Sequence, residues 1–209
     1  MSVLSIVPPV GIWKMEETTE EMWSLLQHQA WYQQEFSRLK AEQRQKEWLA
    51  TRLLLKEMLG HEAIIHHHPN GAPYLLSETE KKQISISHTK DFVAIMLTDA
   101  TQTAGIDIEY RSERVRRVRS RFLNAEEEQF IDPVHETEHL LICWCAKETL
   151  YKIINRQEVD FCRHLHIQPF SYAEQGRLIA FDTCSESPKH VVLQYRVEKD
   201  FVITWVKNS

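Results

Sequence analysis

Residues 84–97 read Ile84-Ser85-Ile86-Ser87-His88-Thr89-Lys90-Asp91-Phe92-Val93-Ala94-Ile95-Met96-Leu97. Apolar and polar residues alternate with period two through His88. A short polar stretch follows, and Phe92 to Leu97 is apolar and β-prone, so the segment predicts a β-hairpin. Upstream, residues 41–60 (AEQRQKEWLATRLLLKEMLG) carry Trp48, Leu49, Leu53, Leu55 and Leu59, with Gly60 as a natural stop. That pattern predicts an amphipathic helix, separated from the hairpin by the turn signals of residues 69–75 (PNGAPYL).

Downstream the same elements return. Gly105-Ile106-Asp107-Ile108-Glu109 alternates as a strand, His139 to Ile154 forms a strongly apolar helix, and HLHIQPF, GRLIAF, HVVLQYRVE and FVITWV are strand-like runs after Phe161. Lys56-Glu57-Met58-Leu59 in the first helix matches Lys147-Glu148-Thr149-Leu150 in the second. Lys90-Asp91-Phe92-Val93 matches Lys199-Asp200-Phe201-Val202, each in the last hairpin of its half. Two echoes in the same order predict an internal duplication. The expected fold is α+β, with two similar halves related by pseudo-two-fold symmetry, each an antiparallel sheet packed with a long helix. The halves are expected at residues 1–102 and 103–209, joined by a linker at 98–104.

Composition narrows the function. The chain has 209 residues, 43% of them hydrophobic, and a net charge of -5, so no whole-chain basic field attracts nucleic acid. Its five glycines, Gly11, Gly60, Gly71, Gly105 and Gly176, are never closer than eleven positions. A dinucleotide fingerprint and a P-loop both need glycines clustered within six positions, so backbone-cradled nucleotide sites are excluded. Any phosphate ester must be held by side chains, with or without a metal. No apolar run approaches a membrane span, and the N-terminal stretch lacks a basic region and is broken by Pro8 and Pro9. Cys143, Cys145, Cys162 and Cys184 match no disulfide scaffold or CxxC site. A reduced cytoplasmic protein, without membrane or nucleic-acid partners, is the expectation, and duplication within one chain points to a monomer.

On a strand, Asp107 and Glu109 share one face and Ile106 and Ile108 the other. Two carboxylates about 7 Å apart repel unless a cation or water separates them. On an ordinary strand such a pair is simply a solvated face. A third carboxylate, Glu148, lies on the apolar helix with Lys152 one turn on, where an unpaired charge is costly. Three hard oxygen donors beside a lysine suit Mg²⁺ bound to a phosphate ester.

The stretches ISISH (84–88), GIDIE (105–109), FLNAEE (122–127) and WCAKETLYK (144–152), in this order and spacing, together with the upstream EWLATR and the PNGAPY turn, resemble the Sfp-type 4'-phosphopantetheinyl transferases over roughly residues 35–155. The resemblance implies two similar α+β halves with coenzyme A between them, and a magnesium-dependent holo-acyl-carrier-protein synthase, such as serves fatty-acid biosynthesis. It implies that Asp107, Glu109 and Glu148 bind Mg²⁺, or Mn²⁺ in its place, with the coenzyme A pyrophosphate, and that Lys152 contacts that phosphate. It matches Ser87 and His88 to a phosphate-binding pair, and puts Arg44, Lys46 and Arg52 on the helix that supplies contacts to the 3'-phosphate. Glu127 falls where the family has an acidic residue that activates the attacking hydroxyl; Glu148, Glu127 and a metal-bound water all stand as proton acceptors. One departure is Ala72, where the family often has lysine.

Residues 111–121, RSERVRRVRSR, hold six arginines and one glutamate, a local +5 against -10 for the rest. A solvated helix face accounts for such a run. The resemblance adds a use: an acidic apo acyl carrier protein would be steered onto it. A non-catalytic carrier-binding module and a metal-dependent phosphoesterase are the competing functions. His135-Glu136-Thr137-Glu138-His139 matches the zinc motif HExxH, but it begins two residues after Pro133, and His139 lies half a helical circumference from Glu148. The run His66-His67-His68 is expected to be exposed polar residues, since consecutive side chains diverge.

Overall fold

A computed structural model describes residues 3–75, 82–156 and 158–208. These fall into two compact units that divide between Gln102 and Thr103. The first opens with an antiparallel hairpin, β1 (Val3–Val7) and β2 (Val10–Lys14). Two short helices, α1 (Thr19–Ser24) and α2 (Gln29–Phe36), lead into α3 (Glu42–Leu59). A small ladder of β3 (Ile65–His67) and β4 (Pro73–Leu75) follows, then the long hairpin of β5 (Lys82–Thr89) and β6 (Phe92–Asp99). The main sheet has the order β1-β2-β6-β5. Leu49, Leu53, Leu54 and Leu55 of α3 are buried in a core with Trp13, Val93 and Ile95. The helix stops at Gly60, whose φ of 79° is left-handed backbone that glycine adopts without strain.

The second unit begins with β7 (Ile106–Tyr110) and the short helix α4 (Arg114–Val118). After two 3-10 turns comes α5 (Glu136–Ile154), then β8 (Leu165–Ile167), β9 (Gln175–Asp182), β10 (His190–Val197) and β11 (Phe201–Val206). The sheet order is β7-β11-β10-β9-β8, and every pairing is antiparallel.

The echoes in the sequence occupy corresponding places in the two units. Lys90-Asp91 and Lys199-Asp200 each form a hairpin turn, and Phe92 and Phe201 each begin the strand that follows. Phe92 stands opposite Lys14 and Phe201 opposite Tyr110. Met15 N donates to Asp91 O at 2.8 Å, and Arg111 N donates to Asp200 O at 2.9 Å. Thus β2-β6-β5 under α3 and β7-β11-β10 under α5 share strand order, register and covering helix. The units differ in their additions, β1 and the β3–β4 ladder in the first, β8 and β9 in the second.

Several expectations need adjusting. Thr98 and Asp99, assigned to a linker, complete β6. The second helix starts at Glu136, three residues before its apolar run, because acidic residues suit a first turn. Of the arginine run, only residues 114–118 are α-helical. The hairpin β1–β2 and the helices α1 and α2 were not read from the sequence, although Thr18 and Glu21 form a capping box before α1.

Candidate functional site

Asp107 and Glu109 project from β7 toward α5. On that helix Trp144, Glu148 and Lys152 fall at i, i+4 and i+8, a single stripe. Both ends of the stripe bond β7: Lys152 Nζ donates to Asp107 Oδ1 at 2.8 Å and to Ile106 O at 2.9 Å, and Trp144 Nε1 donates to Glu109 Oε1 at 2.9 Å. Glu148 sits between these ends. Its carboxyl is pushed up to about 7, first by burial and then by the charge of Asp107, with Glu109 adding and Lys152 opposing. Gly105 lets the helix come this close, because a Cβ there would lie 2.7 Å from Ile153 Cγ1. The neighbouring Cys145 is fully buried, and burial followed by the charges of Asp107 and Glu109 holds its thiol well above the usual range. It is a packing residue.

The donor chemistry fits a hard divalent cation. Asp107 and Glu109 face the helix that carries Glu148, whose carboxyl is raised by burial first and by the charge of Asp107 next, and hard oxygen donors of this kind suit Mg²⁺. Lys152 and Trp144 hold Asp107 and Glu109. Among the described residues no three His, Cys, Asp or Glu side chains close on one point as a metal centre requires.

Glu127, expected as a catalytic acid or base, stands elsewhere. It is 2% exposed. Its Oε1 accepts from Ile167 N at 2.9 Å, and its Oε2 accepts from Asn124 N at 3.0 Å and from Lys147 Nζ at 2.6 Å. Both oxygens thus accept from buried donors, and the carboxylate is enclosed by the protein. Lys147, 0% exposed, places its remaining protons on Phe122 O at 2.6 Å and Phe161 O at 3.0 Å. Burial lowers its ammonium from the usual lysine range, and Glu127 opposes that shift.

In the first unit, Glu47 gathers two of the expected phosphate contacts. Its Oε2 lies 3.2 Å from Arg44 Nη1 and 3.4 Å from His88 Nδ1. Ser87 is buried beside exposed His88, as strand alternation requires. Lys46 lies 3.9 Å from Glu42. Arg52 points inward: it is 6% exposed, bonds Glu35 Oε2 at 2.9 Å, and its guanidinium carbon lies 3.3 Å from the centroid of the Trp48 ring. Burial, only partly offset by Glu35, brings its pKa down to about 10. Arg52 belongs to the aromatic core, where its planar group stacks well.

Half of the arginine run is neutralised internally. Arg111 pairs with Glu138, Arg116 with Glu136 at 3.2 Å, and Arg119 with Glu128 and, at 2.6 Å, with Glu136. Arg114, Arg117 and Arg121 are exposed and carry no ion pair among the described residues. Two of these, Arg114 and Arg121, rim a cavity of about 290 Å³ that opens beside Glu109 and is floored by Val115, Val118, Leu141 and Trp144.

The two histidine motifs bind no common point. His135 is exposed, stacks on Tyr172 with centroids 4.2 Å apart, and lies 3.3 Å from Asp132 Oδ1. His139 is fully buried among Phe130, Phe170 and Tyr172, and its Nδ1 accepts from Asp132 N at 3.0 Å. Its ring is kept neutral by burial, against the pull of Asp132. His66 and His68 flank the Tyr74 ring at 5.4 and 4.3 Å.

Trp144 and Lys147 were visible in the sequence as members of the motif WCAKETLYK, but their partners Glu109 and Glu127 were not. No helix of the described residues is long and apolar enough to cross a membrane.

A carboxylate-bearing strand faced by a helix stripe of tryptophan, glutamate and lysine lies within residues 103–206, which match the family model of the 4'-phosphopantetheinyl transferase superfamily, and this unit belongs to that superfamily. No curated protein matches the chain.

Proposed function

We propose that the protein transfers the 4'-phosphopantetheine arm of coenzyme A to a serine of an apo acyl carrier protein. The observation that carries this reading is the stripe Trp144-Glu148-Lys152 laid against Asp107 and Glu109, inside the segment that matches the superfamily. A magnesium ion, or manganese in its place, held by Asp107, Glu109 and Glu148 would neutralise the pyrophosphate. Lys152 supplies positive charge to the departing phosphate. The serine oxygen attacks the β-phosphorus, the bond from that phosphorus to the bridging oxygen breaks, and 3',5'-ADP leaves. The serine proton passes to Glu148, since Glu127 is sealed from solvent. Arg44, Lys46, Ser87 and His88 are the first unit's contributions to coenzyme A binding.

The carrier docks through acidic residues onto Arg114, Arg117 and Arg121, with an apolar side chain over the floor of the adjoining cavity. The test incubates the protein with apo carrier, coenzyme A and Mg²⁺ and weighs the carrier by mass spectrometry. A gain of the phosphopantetheine mass supports the reading. Coenzyme A hydrolysis without carrier modification makes the protein a phosphoesterase instead, and carrier binding without either reaction makes it a binding module.

A further inference from the structure

We propose that Glu127 is a positioning residue, paired with Lys147 as a buried clamp that fixes the rotation of α5 and so aims Glu148 at Asp107 and Glu109. The inference rests on the transferase reading for its kinetic consequence, but its geometry stands alone. Lys147 precedes Glu148 by one residue, about 100° around the helix. Its three ammonium protons are spent on Phe122 O, Phe161 O and Glu127 Oε2, which tie α5 to two separate loops. Glu127, at the start of the 3-10 turn before α5, extends the tie to Asn124 N and to Ile167 N of β8. Rotating the helix enough to swing Glu148 away from β7 would break all of these bonds in a buried, low-dielectric place, where each unmade one is expensive.

The first unit provides an independent argument. Lys56 of α3, the sequence counterpart of Lys147, donates to Leu25 O at 2.9 Å and lies 3.3 Å from Glu62 Oε1. Glu62 in turn accepts from Gln27 N at 2.5 Å and His28 N at 3.0 Å. The same device, a helix lysine on a carbonyl and on a carboxylate that also accepts two backbone N–H groups, therefore occurs where the facing strand carries no carboxylate. A clamp repeated without the reaction centre is a device for holding a helix, and proton transfer is not its purpose.

The test uses the full chain with Glu127→Gln, Lys147→Met and the double variant. It measures Mn²⁺ affinity by electron paramagnetic resonance with coenzyme A present, carrier modification rate, and melting temperature. Residues that orient a ligand cost about 10- to 100-fold in metal affinity when removed. Lys147→Met, which strands the Glu127 charge, should therefore weaken Mn²⁺ binding by about tenfold or more, with a parallel fall in rate. Glu127→Gln, nearly isosteric and the safer of the two to fold, should show a smaller loss of the same kind, and the double variant should recover affinity relative to Lys147→Met. The proposal is overturned if Glu127→Gln abolishes transfer while Mn²⁺ affinity is unchanged and the double variant recovers nothing, for Glu127 is then the base. It is equally overturned if only the melting temperature moves. Absence of transfer by the wild-type chain would count against the transferase reading alone, and the Mn²⁺ measurement would still judge the clamp.

Discussion

The strands β2 and β7 occupy equivalent places, each between a hairpin strand and a covering helix, yet they present opposite chemistry to that helix. By register, Gly11 corresponds to Asp107 and Trp13 to Glu109, since these stand opposite Ile95 and Val93 in one sheet and Thr204 and Val202 in the other. In the first unit the face is closed: Trp13 is fully buried, and Met58 and Leu54 of α3 press on Gly11. In the second unit the same two positions are carboxylates, met by Trp144, Glu148 and Lys152. One scaffold thus serves twice, as an apolar core and as a charged slot. Only the second face has raised a carboxyl to about 7. The scaffold tolerates that charge because the clamp and the sheet register are common to both units.

The largest effect should come from removing the difference itself. Asp107→Ala takes away one donor of the slot and the partner of Lys152, and should lower the carrier modification rate on the order of a thousandfold while the protein stays folded. Retention of most of the rate would mean that the charged face is not the reaction centre. Next, Trp144→Phe keeps the ring packed against Phe122 and Phe161 but deletes the donor to Glu109. A loss of about tenfold in Mn²⁺ affinity is expected, and unchanged affinity would reduce Trp144 to a packing residue.

The glycines sharpen the comparison on the side of stability. A Cβ at Gly11 would meet Met58 Sδ at 2.6 Å, the flexible part of a thioether, whereas at Gly105 it would meet Ile153 Cγ1 at 2.7 Å, a stiff branched side chain. Overpacking of this kind costs about 1–3 kcal/mol. Gly105→Ala should therefore lower the melting temperature more than Gly11→Ala, and the reverse order in a thermal scan would refute the assigned contacts.

How much of this was legible follows from where the signals lie. The hairpin at 84–97, both long helices and the matching tetrapeptides are local patterns, and local patterns survive in a sequence. The carboxylates of β7 and the α5 stripe were legible for the same reason, two on alternating strand positions and three at helical spacing. The surroundings of Glu127 were not legible, because the motif that singled it out carries no signal of burial. Its burial comes from Ile167 and Lys147, forty and twenty residues away. Which of Arg44, Lys46 and Arg52 points inward was not legible either, because Tyr32 and Glu35, which help enclose Arg52, lie on another helix. The arginine run looked uniformly basic because its partners Glu128, Glu136 and Glu138 come later in the chain.

The smallest expected effect concerns the clamp of the first unit, which should act on stability alone. Burial pushes the Glu62 carboxyl up, but the N–H groups of Gln27 and His28 and the ammonium of Lys56 outweigh it, so its folded pKa lies below the usual value. The unfolded chain binds the proton more tightly. The clamp's contribution is therefore complete above about pH 4.3, the ordinary glutamate value, and is lost as pH falls through the lower folded value. Glu62→Gln should lower the melting temperature at pH 7 and flatten its decline on acidification, with Mn²⁺ affinity unaltered. If Glu62→Gln weakened Mn²⁺ binding as much as Lys147→Met does, the two clamps could not be separated by unit, and the division between a structural first helix and a catalytic second one would fail.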